Sequence, residues 1–194
     1  MLDACFRLGE LPVLGTIGDK HFPHFFPRVF MAIGDDALRD AIRFYTQWVD
    51  GIISSAQQVP NDEWRAPLFT YILTKRQLNQ LNVICKKEGW PRQTCPGITI
   101  YPQQIKHIIT SRAKDGLNWI QVVDILSASF CTRSEVAMNK DRNMQGVILN
   151  ANERLSTIPA QKYFGMAILQ VSENDLAPVT AYHATEAKIK AIKK

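Results

Sequence analysis

Apolar residues recur every three or four positions from Asp35 onward, and this spacing predicts a long amphipathic helix. Asp35 or Asp36 can act as its N-cap, because a carboxylate there accepts hydrogen bonds from the first free backbone N–H groups. The apolar positions of this helix are Ala37, Leu38, Ala41, Ile42, Tyr45, Trp48, Val49 and Ile52. Residues 60–62 break the pattern, and a second helix is predicted from about Pro67 to Cys85. Residues 1–28 show no helical period and are predicted to be irregular.

The segment from Glu88 to Gly97 contains two prolines and two glycines, which is typical of a turn or linker. Beyond it, one helical pattern runs from Pro102 to about Lys114, and a second is capped by Asn118. A period of two residues then predicts four strands. These strands are Ser134–Asn139, Gln145–Asn150, Tyr163–Val171 and Ala177–His183. A final helix is predicted over Ala184 to Lys194.

These elements predict an α+β protein whose domain boundary lies in the turn-rich segment. Residues 1–94 are predicted to form a mainly helical domain. Residues 95–194 are predicted to form a small module in which two helices pack on a four-stranded antiparallel sheet. Residues 1–99 carry 11 basic and 10 acidic side chains, whereas residues 100–194 carry 12 and 8. The overall charge of +5 therefore lies mostly in the second half, which permits an anionic partner without requiring one.

The composition excludes several classes of protein. An apolar content of 46% and a charged content of 21% are typical of a folded chain, not of a disordered one or a coiled coil. No apolar run approaches the ~20 residues that cross a bilayer, so we expect no membrane segment. The first twenty residues lack the pattern of a secretory signal. The four cysteines include no C-x-x-C pair, so we expect free thiols in a reducing cytoplasm instead of a zinc site.

Motifs for cofactors and for common hydrolases are missing from the sequence. His21 and His24 have a spacing that could hold a metal, but Pro23 and Pro27 disfavour a helix there and no third ligand is evident. No G-x-G-x-x-G, P-loop or G-x-S-x-G pattern occurs. We therefore expect neither a cofactor nor a metal.

One predicted helix of the second half carries titratable and cationic side chains. His107 and Lys114 are seven positions apart and lie on nearly the same face of the helix, whereas Arg112 lies about 140° from His107. On spacing alone, a half-exposed surface histidine explains His107 better than a catalytic one.

The last predicted strand places two hydroxyl groups on one face of the sheet. Thr180 and Tyr182 share that face by alternation, and His183 points to the other. Lys188 follows in the final helix. A solvated sheet face explains the two hydroxyls without any function, so a functional interpretation needs further support.

Five segments of the second half form a recognisable series. They are KHIITSR (106–112), VVDIL (122–126), EV (135–136), YFGMAILQV (163–171) and PVTAYHATEAKIK (178–190). Together they resemble the phage-associated branch of the barnase–EndoU–colicin–RelE-like (BECR) nuclease superfamily. The last segment, a strand with Thr then Tyr that leads into a basic helix, is the most specific. The resemblance covers residues 98–194, about half of the chain.

The resemblance implies a metal-independent ribonuclease of the toxin type, with its active site on the open face of a small sheet. In such an enzyme a base removes the proton of the RNA 2′-OH, a cation stabilises the phosphorane, and an acid protonates the leaving oxygen. The residues implied in catalysis are His107, Thr180 and Tyr182. The residues implied in substrate binding are Arg112, Lys114, His183 and Lys188.

The predicted activity is therefore RNA cleavage in the cytoplasm of a bacterial cell, with tRNA among the candidate substrates. An immunity or antitoxin protein is the expected type of protein partner. The alternative is a non-catalytic phage or host protein that uses the same fold to bind a protein or a nucleic acid. A third hypothesis is a nucleic-acid-binding module without cleavage, whose binding would fall steeply with salt.

Overall fold

The structure, a computed structural model, describes residues 34–55, 64–140, 142–158, 162–173 and 175–194. The expectations for residues 1–28 and for the pair His21 and His24 lie outside these described residues. Within them, the chain forms five helices and six strands. The helices are α1 (Asp35–Ser55), α2 (Lys75–Glu88), α3 (Pro102–Ala113), α4 (Trp119–Ser129) and α5 (Glu186–Lys193). The strands are β1 (Phe69–Ile72), β2 (Gly97–Ile100), β3 (Glu135–Met138), β4 (Gln145–Leu149), β5 (Tyr163–Ser172) and β6 (Asp175–Thr185).

All six strands belong to one mixed sheet with the order β1-β2-β6-β5-β4-β3. The pairing of β2 with β6 is parallel and is centred on Ile98 and Leu176, and the other pairings are antiparallel. The α+β class is as expected, but the predicted four-stranded antiparallel sheet with two helices is wrong. Two strands that come from outside the predicted sheet, β1 and β2, extend it on one side.

The first missed strand, β1, lies inside the range that was predicted as one helix from Pro67 to Cys85. Its sequence FTYI alternates, with Phe69 and Tyr71 buried and Ile72 exposed, as expected for a strand. The helix begins only after a capping box, in which Thr74 Oγ1 accepts from the Gln77 N–H and Gln77 Oε1 accepts from the Thr74 N–H. Strand β1 has only four residues and ends two residues before the Thr74 N-cap, so its alternation is too short to be distinguished from the helical pattern that follows it in the sequence.

The remaining elements of the second half agree with the sequence pattern. Strands β3 to β6 lie within about two residues of the predicted ranges, and α3 and α4 begin at the predicted positions. The final helix starts at Glu186 instead of Ala184, because β6 continues to Thr185. Thr185 then caps α5, with its Oγ1 accepting a hydrogen bond from the Lys188 N–H at 3.3 Å.

The helices divide unequally between the two faces of the sheet. Helices α2, α3 and α4 pack on one face, which we call the helical face, and α1 packs on α3 and α4. Helix α5 packs on the opposite face, the α5 face, where Ile189 joins a cluster of apolar strand residues. These strand residues are Val147, Leu149, Phe164, Met166, Ile168 and Ala184. Strands β4 and β5 are therefore buried on both faces along most of their length.

Residues on both sides of the predicted domain boundary share the larger hydrophobic cluster. Tyr45 and Phe69, whose rings stack at 6.0 Å, belong to it together with Ile98 and Ile125. Strand β1 also pairs with β2 across that boundary. The division into residues 1–94 and 95–194 stays a prediction. No helix in the described ranges combines the length and the apolar character needed to cross a membrane.

A buried polar network holds the loop between α4 and β3 against α2. Gln77, which is fully buried, donates from Nε2 to the carbonyl oxygens of Cys131 at 2.9 Å and Ser134 at 3.0 Å. The Tyr71 hydroxyl lies 2.9 Å from Gln77 Oε1 and 2.8 Å from the Cys131 oxygen. Because these groups are removed from water, each hydrogen bond also avoids the cost of an unsatisfied polar atom.

Candidate functional site

Strand β6 carries three of the predicted site residues, and its register fixes the face on which each one lies. Thr180 is opposite Ile168 and Tyr182 is opposite Met166, so both lie on the α5 face. His183 is opposite Gly165 and therefore lies on the helical face. The alternation predicted from the sequence thus places these side chains correctly relative to one another.

The second half of β6 has no strand beside it on the β2 side in the described part of the chain. Strand β2 meets β6 only around Ile98 and Leu176, and the chain then turns into α3, which packs along β6. Arg112 occupies the last turn of α3. Because no strand of the described residues covers this edge of β6, Arg112 can lie near Tyr182, which is on the α5 face, and near His183, which is on the helical face.

Arg112 connects α3 with Tyr182. Its guanidinium carbon lies 5.9 Å from the centroid of the Tyr182 ring, within the range of a cation–π contact. Its Nη1 lies 2.8 Å from Asp115 Oδ2, and the side chain is only 19% exposed. The buried Nε of Arg112 has no hydrogen-bond partner in the described part of the chain. Arg112 is therefore a largely desolvated cation with one donor still unused.

His183 lies next to Tyr163 and in the field of the Arg112–Asp115 pair. The rings of His183 and Tyr163 meet edge to face, with centroids 4.6 Å apart and an interplanar angle of 85°. The buried Nδ1 of His183 has no hydrogen-bond partner among the described residues. Burial lowers the pKa of His183, the Asp115 carboxylate opposes this change, and the Arg112 guanidinium adds to it. The lowered pKa favours the neutral imidazole, which is the form that accepts a proton.

We call this group of five residues the Arg112–His183 cluster, and its members are Arg112, Asp115, Tyr163, Tyr182 and His183. It joins a cation, a carboxylate, an imidazole and two phenols around the second half of β6, with Tyr163 contributed by the neighbouring strand β5. Such a set can bind an anion, accept a proton and donate a hydrogen bond.

The other predicted site residues lie outside this cluster. His107 is exposed on α3, five residues before Arg112. Five residues along an α-helix rotate the side chain by about 140°, so His107 and Arg112 point to different sides of α3. Lys114 is exposed at the end of α3, and Lys188 lies in the first turn of α5. The structure therefore brings together Arg112, Tyr182 and His183 but does not place His107 with them.

Two members of the cluster were not identified from the sequence. Asp115 follows Arg112 by three positions, and this spacing is a recognisable signal for an ion pair. Tyr163 begins β5 and reaches His183 only because β5 and β6 pair with Tyr163 opposite Thr185. No local pattern in the sequence could indicate that second contact.

Comparisons with protein-family models, with curated proteins and with solved structures gave no match to this chain. Within the described residues, no group of three or more His, Cys, Asp and Glu side chains is arranged to hold a metal ion.

Proposed function

We propose that this chain is a metal-independent endoribonuclease of the toxin or effector type, with the reacting phosphate bound at the Arg112–His183 cluster. The observation that supports this proposal is the placement of His183, whose pKa is lowered, between Tyr163 of β5 and the largely buried Arg112, which in turn contacts the Tyr182 ring. The excess of basic residues in the second half and the resemblance to BECR nucleases favour the same substrate. The proposed setting is the cytoplasm of a bacterial cell, with tRNA among the candidate substrates and an immunity or antitoxin protein as partner.

The proposed reaction assigns one step to each group. His183 takes the proton of the RNA 2′-OH through Nε2, because its Nδ1 is buried. The 2′ oxygen then attacks the adjacent phosphorus, and the bond from phosphorus to the 5′ oxygen breaks. Arg112 stabilises the charge of the phosphorane, and the Tyr182 hydroxyl gives a proton to the departing 5′ oxygen. The products are a 2′,3′-cyclic phosphate and a free 5′-hydroxyl, and DNA does not react because it lacks the 2′-OH.

A comparison of two histidine variants tests this assignment. Purified chain is incubated with total RNA and with tRNA in EDTA, and product ends are mapped. We expect the wild type to cut, His183→Ala to lose about 10²-fold or more of the activity, and a 2′-O-methyl substrate to stay intact. His107→Ala is the matched control, because it makes the same substitution at an exposed position. Equal losses of activity in both variants would show that His107 also takes part in catalysis. Intact RNA after incubation with the wild type would refute the proposed ribonuclease activity.

The second candidate function is nucleic-acid or protein binding without cleavage. Two observations favour it: Arg112 is already paired with Asp115 at 2.8 Å, and His107 does not join the cluster as a second proton carrier. The same assay separates the two functions. Binding of RNA or of one stoichiometric protein partner, with no cleavage and no toxicity on expression, would support this second function.

A further inference from the structure

A compact group of exposed charges surrounds Glu186, where β6 passes into α5. Lys190 Nζ lies 2.8 Å from Glu186 Oε1. Lys162 immediately precedes Tyr163, and Tyr163 is opposite Thr185 in the β5–β6 ladder, so Lys162 lies beside Glu186. The Leu155 N–H donates to the Tyr163 oxygen at 2.9 Å, which brings Arg154 to the same place. We call Arg154, Lys162, Glu186 and Lys190 the Glu186 patch.

The Glu186 patch carries three cations and one carboxylate, and all four side chains are exposed. The hydrogen bond and charge of Lys190, followed by the charges of Lys162 and Arg154, hold the pKa of Glu186 below its ordinary value. The neighbouring carboxylate of Glu153 does not balance the excess, because it pairs with Arg133 at 2.6 Å and with Arg39 at 3.8 Å. The patch therefore keeps a net positive charge that faces solvent.

This patch and the Arg112–His183 cluster lie at the same end of the β5–β6 pair. Tyr163 contacts the His183 ring, and Lys162 directly precedes Tyr163 in the chain. His183 and Glu186 are separated by only two residues at the end of β6. A strand with one phosphate at the cluster can therefore reach the patch with a neighbouring phosphate.

We propose that the Glu186 patch binds the phosphodiester backbone of single-stranded RNA on one side of the phosphate held at the Arg112–His183 cluster. This inference rests on the proposed function, because it assigns the binding of the substrate that the cluster cuts. The recognition is electrostatic and independent of base sequence, since it depends on cations and phosphates alone.

The experiment measures binding of an uncleavable 2′-O-methyl RNA over a range of salt concentrations. The test variant is Arg154→Gln/Lys162→Gln/Lys190→Gln. The matched control is Arg92→Gln/Lys75→Gln/Lys86→Gln, which removes the same number and kinds of exposed cations elsewhere. We expect the slope of log affinity against log salt to fall by about 2 in the test variant, and by much less in the control. Glu186→Gln should change affinity in the opposite direction, with about threefold tighter binding at low salt.

Several outcomes would overturn the proposal that the Glu186 patch binds RNA. Equal loss in the two triple variants would show a general effect of net charge, and an unchanged slope in the test variant would show that the patch makes no contact. Competition by polyglutamate as strong as that by RNA would identify an acidic protein surface as the occupant.

The measurements distinguish a failure of the proposed RNA binding at the patch from a failure of the proposed ribonuclease activity. Cleavage that depends on His183 but has the same KM in the test variant would refute the patch alone. Patch-dependent binding by a wild type that leaves natural RNA intact would refute the cleavage and support the patch. Thermal melting curves of all variants check that the exposed substitutions preserve the fold.

Discussion

His183 and Gly165 are cross-strand partners in the β5–β6 ladder, and the space that a side chain at position 165 would need is filled by α4. A Cβ atom at 165 would lie 2.6 Å from the Ile125 oxygen, 2.8 Å from the Ala128 Cβ and 3.1 Å from the Ser129 nitrogen. The backbone of α4 therefore lies against β5 beside the candidate site. This close approach lies on the helical face of the sheet, the face on which His183 also lies.

We expect Gly165→Ala to destabilise the protein by about 1–3 kcal/mol, because α4 must move away from β5 to admit the methyl group. Gly51→Ala is the matched control, since a Cβ at this exposed position of α1 would meet nothing within 4 Å. That control should be neutral or stabilise by up to about 1 kcal/mol, because alanine is the better helix former. Urea unfolding measures both, and equal effects would contradict the close approach.

The depressed pKa of His183 predicts a loss of stability in acid. Above its unfolded pKa of 6.5, the histidine is neutral in both states and contributes nothing to the pH dependence. As the pH falls below that value, the unfolded chain binds a proton that the folded chain resists, so the free energy of unfolding decreases. From about pH 7.5 to about pH 5.5, we expect a larger decrease in the wild type than in His183→Gln. The other histidines are common to both proteins, so identical pH dependences would refute the burial of His183.

The buried amide of Gln77 predicts a large effect of a small substitution. Gln77→Met keeps a similar volume but leaves the carbonyls of Cys131 and Ser134 without the Nε2 donor. We expect a destabilisation of about 1–3 kcal/mol, which chemical unfolding measures. Gln103→Met, at an exposed position of α3, should change stability by less than about 0.5 kcal/mol. A similar small effect at position 77 would show that water replaces the lost donor.

Much of the secondary structure follows from short-range patterns. The apolar period from Asp35 places α1, and the capping residue Asn118 places the start of α4, where its Oδ1 accepts from the N–H groups of Ile120 and Gln121. Alternation places β3 to β6 and also assigns Thr180 and Tyr182 to one face. These features depend on residues that are close in the chain, so a window of the sequence contains what is needed to predict them.

The sheet and the candidate site depend on residues that are far apart in the chain. Tyr71 of β1 meets the loop at Cys131 across 60 positions, and β2 finds β6 through the pairing of Ile98 with Leu176. Four residues of extended chain have too weak a pattern to outweigh their neighbours, so the sequence predicted a helix over β1 and no strand over β2, which begins at Gly97, where the predicted linker ends. The prediction of His107 as a catalytic residue has the same cause. The sequence shows that His107 lies on a helix, but it does not show how far that helix position is from Thr180 and Tyr182.

The sequence by itself therefore determined the α+β class, most of the helices, four of the strands and the basic excess of the second half, because these depend on local periodicity and composition. Only the tertiary structure decided that six strands of the described residues form one sheet, that Arg112 contacts Tyr182, and that His183 contacts Tyr163. The physical reason is that strand pairing, burial and the pKa of a buried histidine arise from neighbours that folding alone brings into contact.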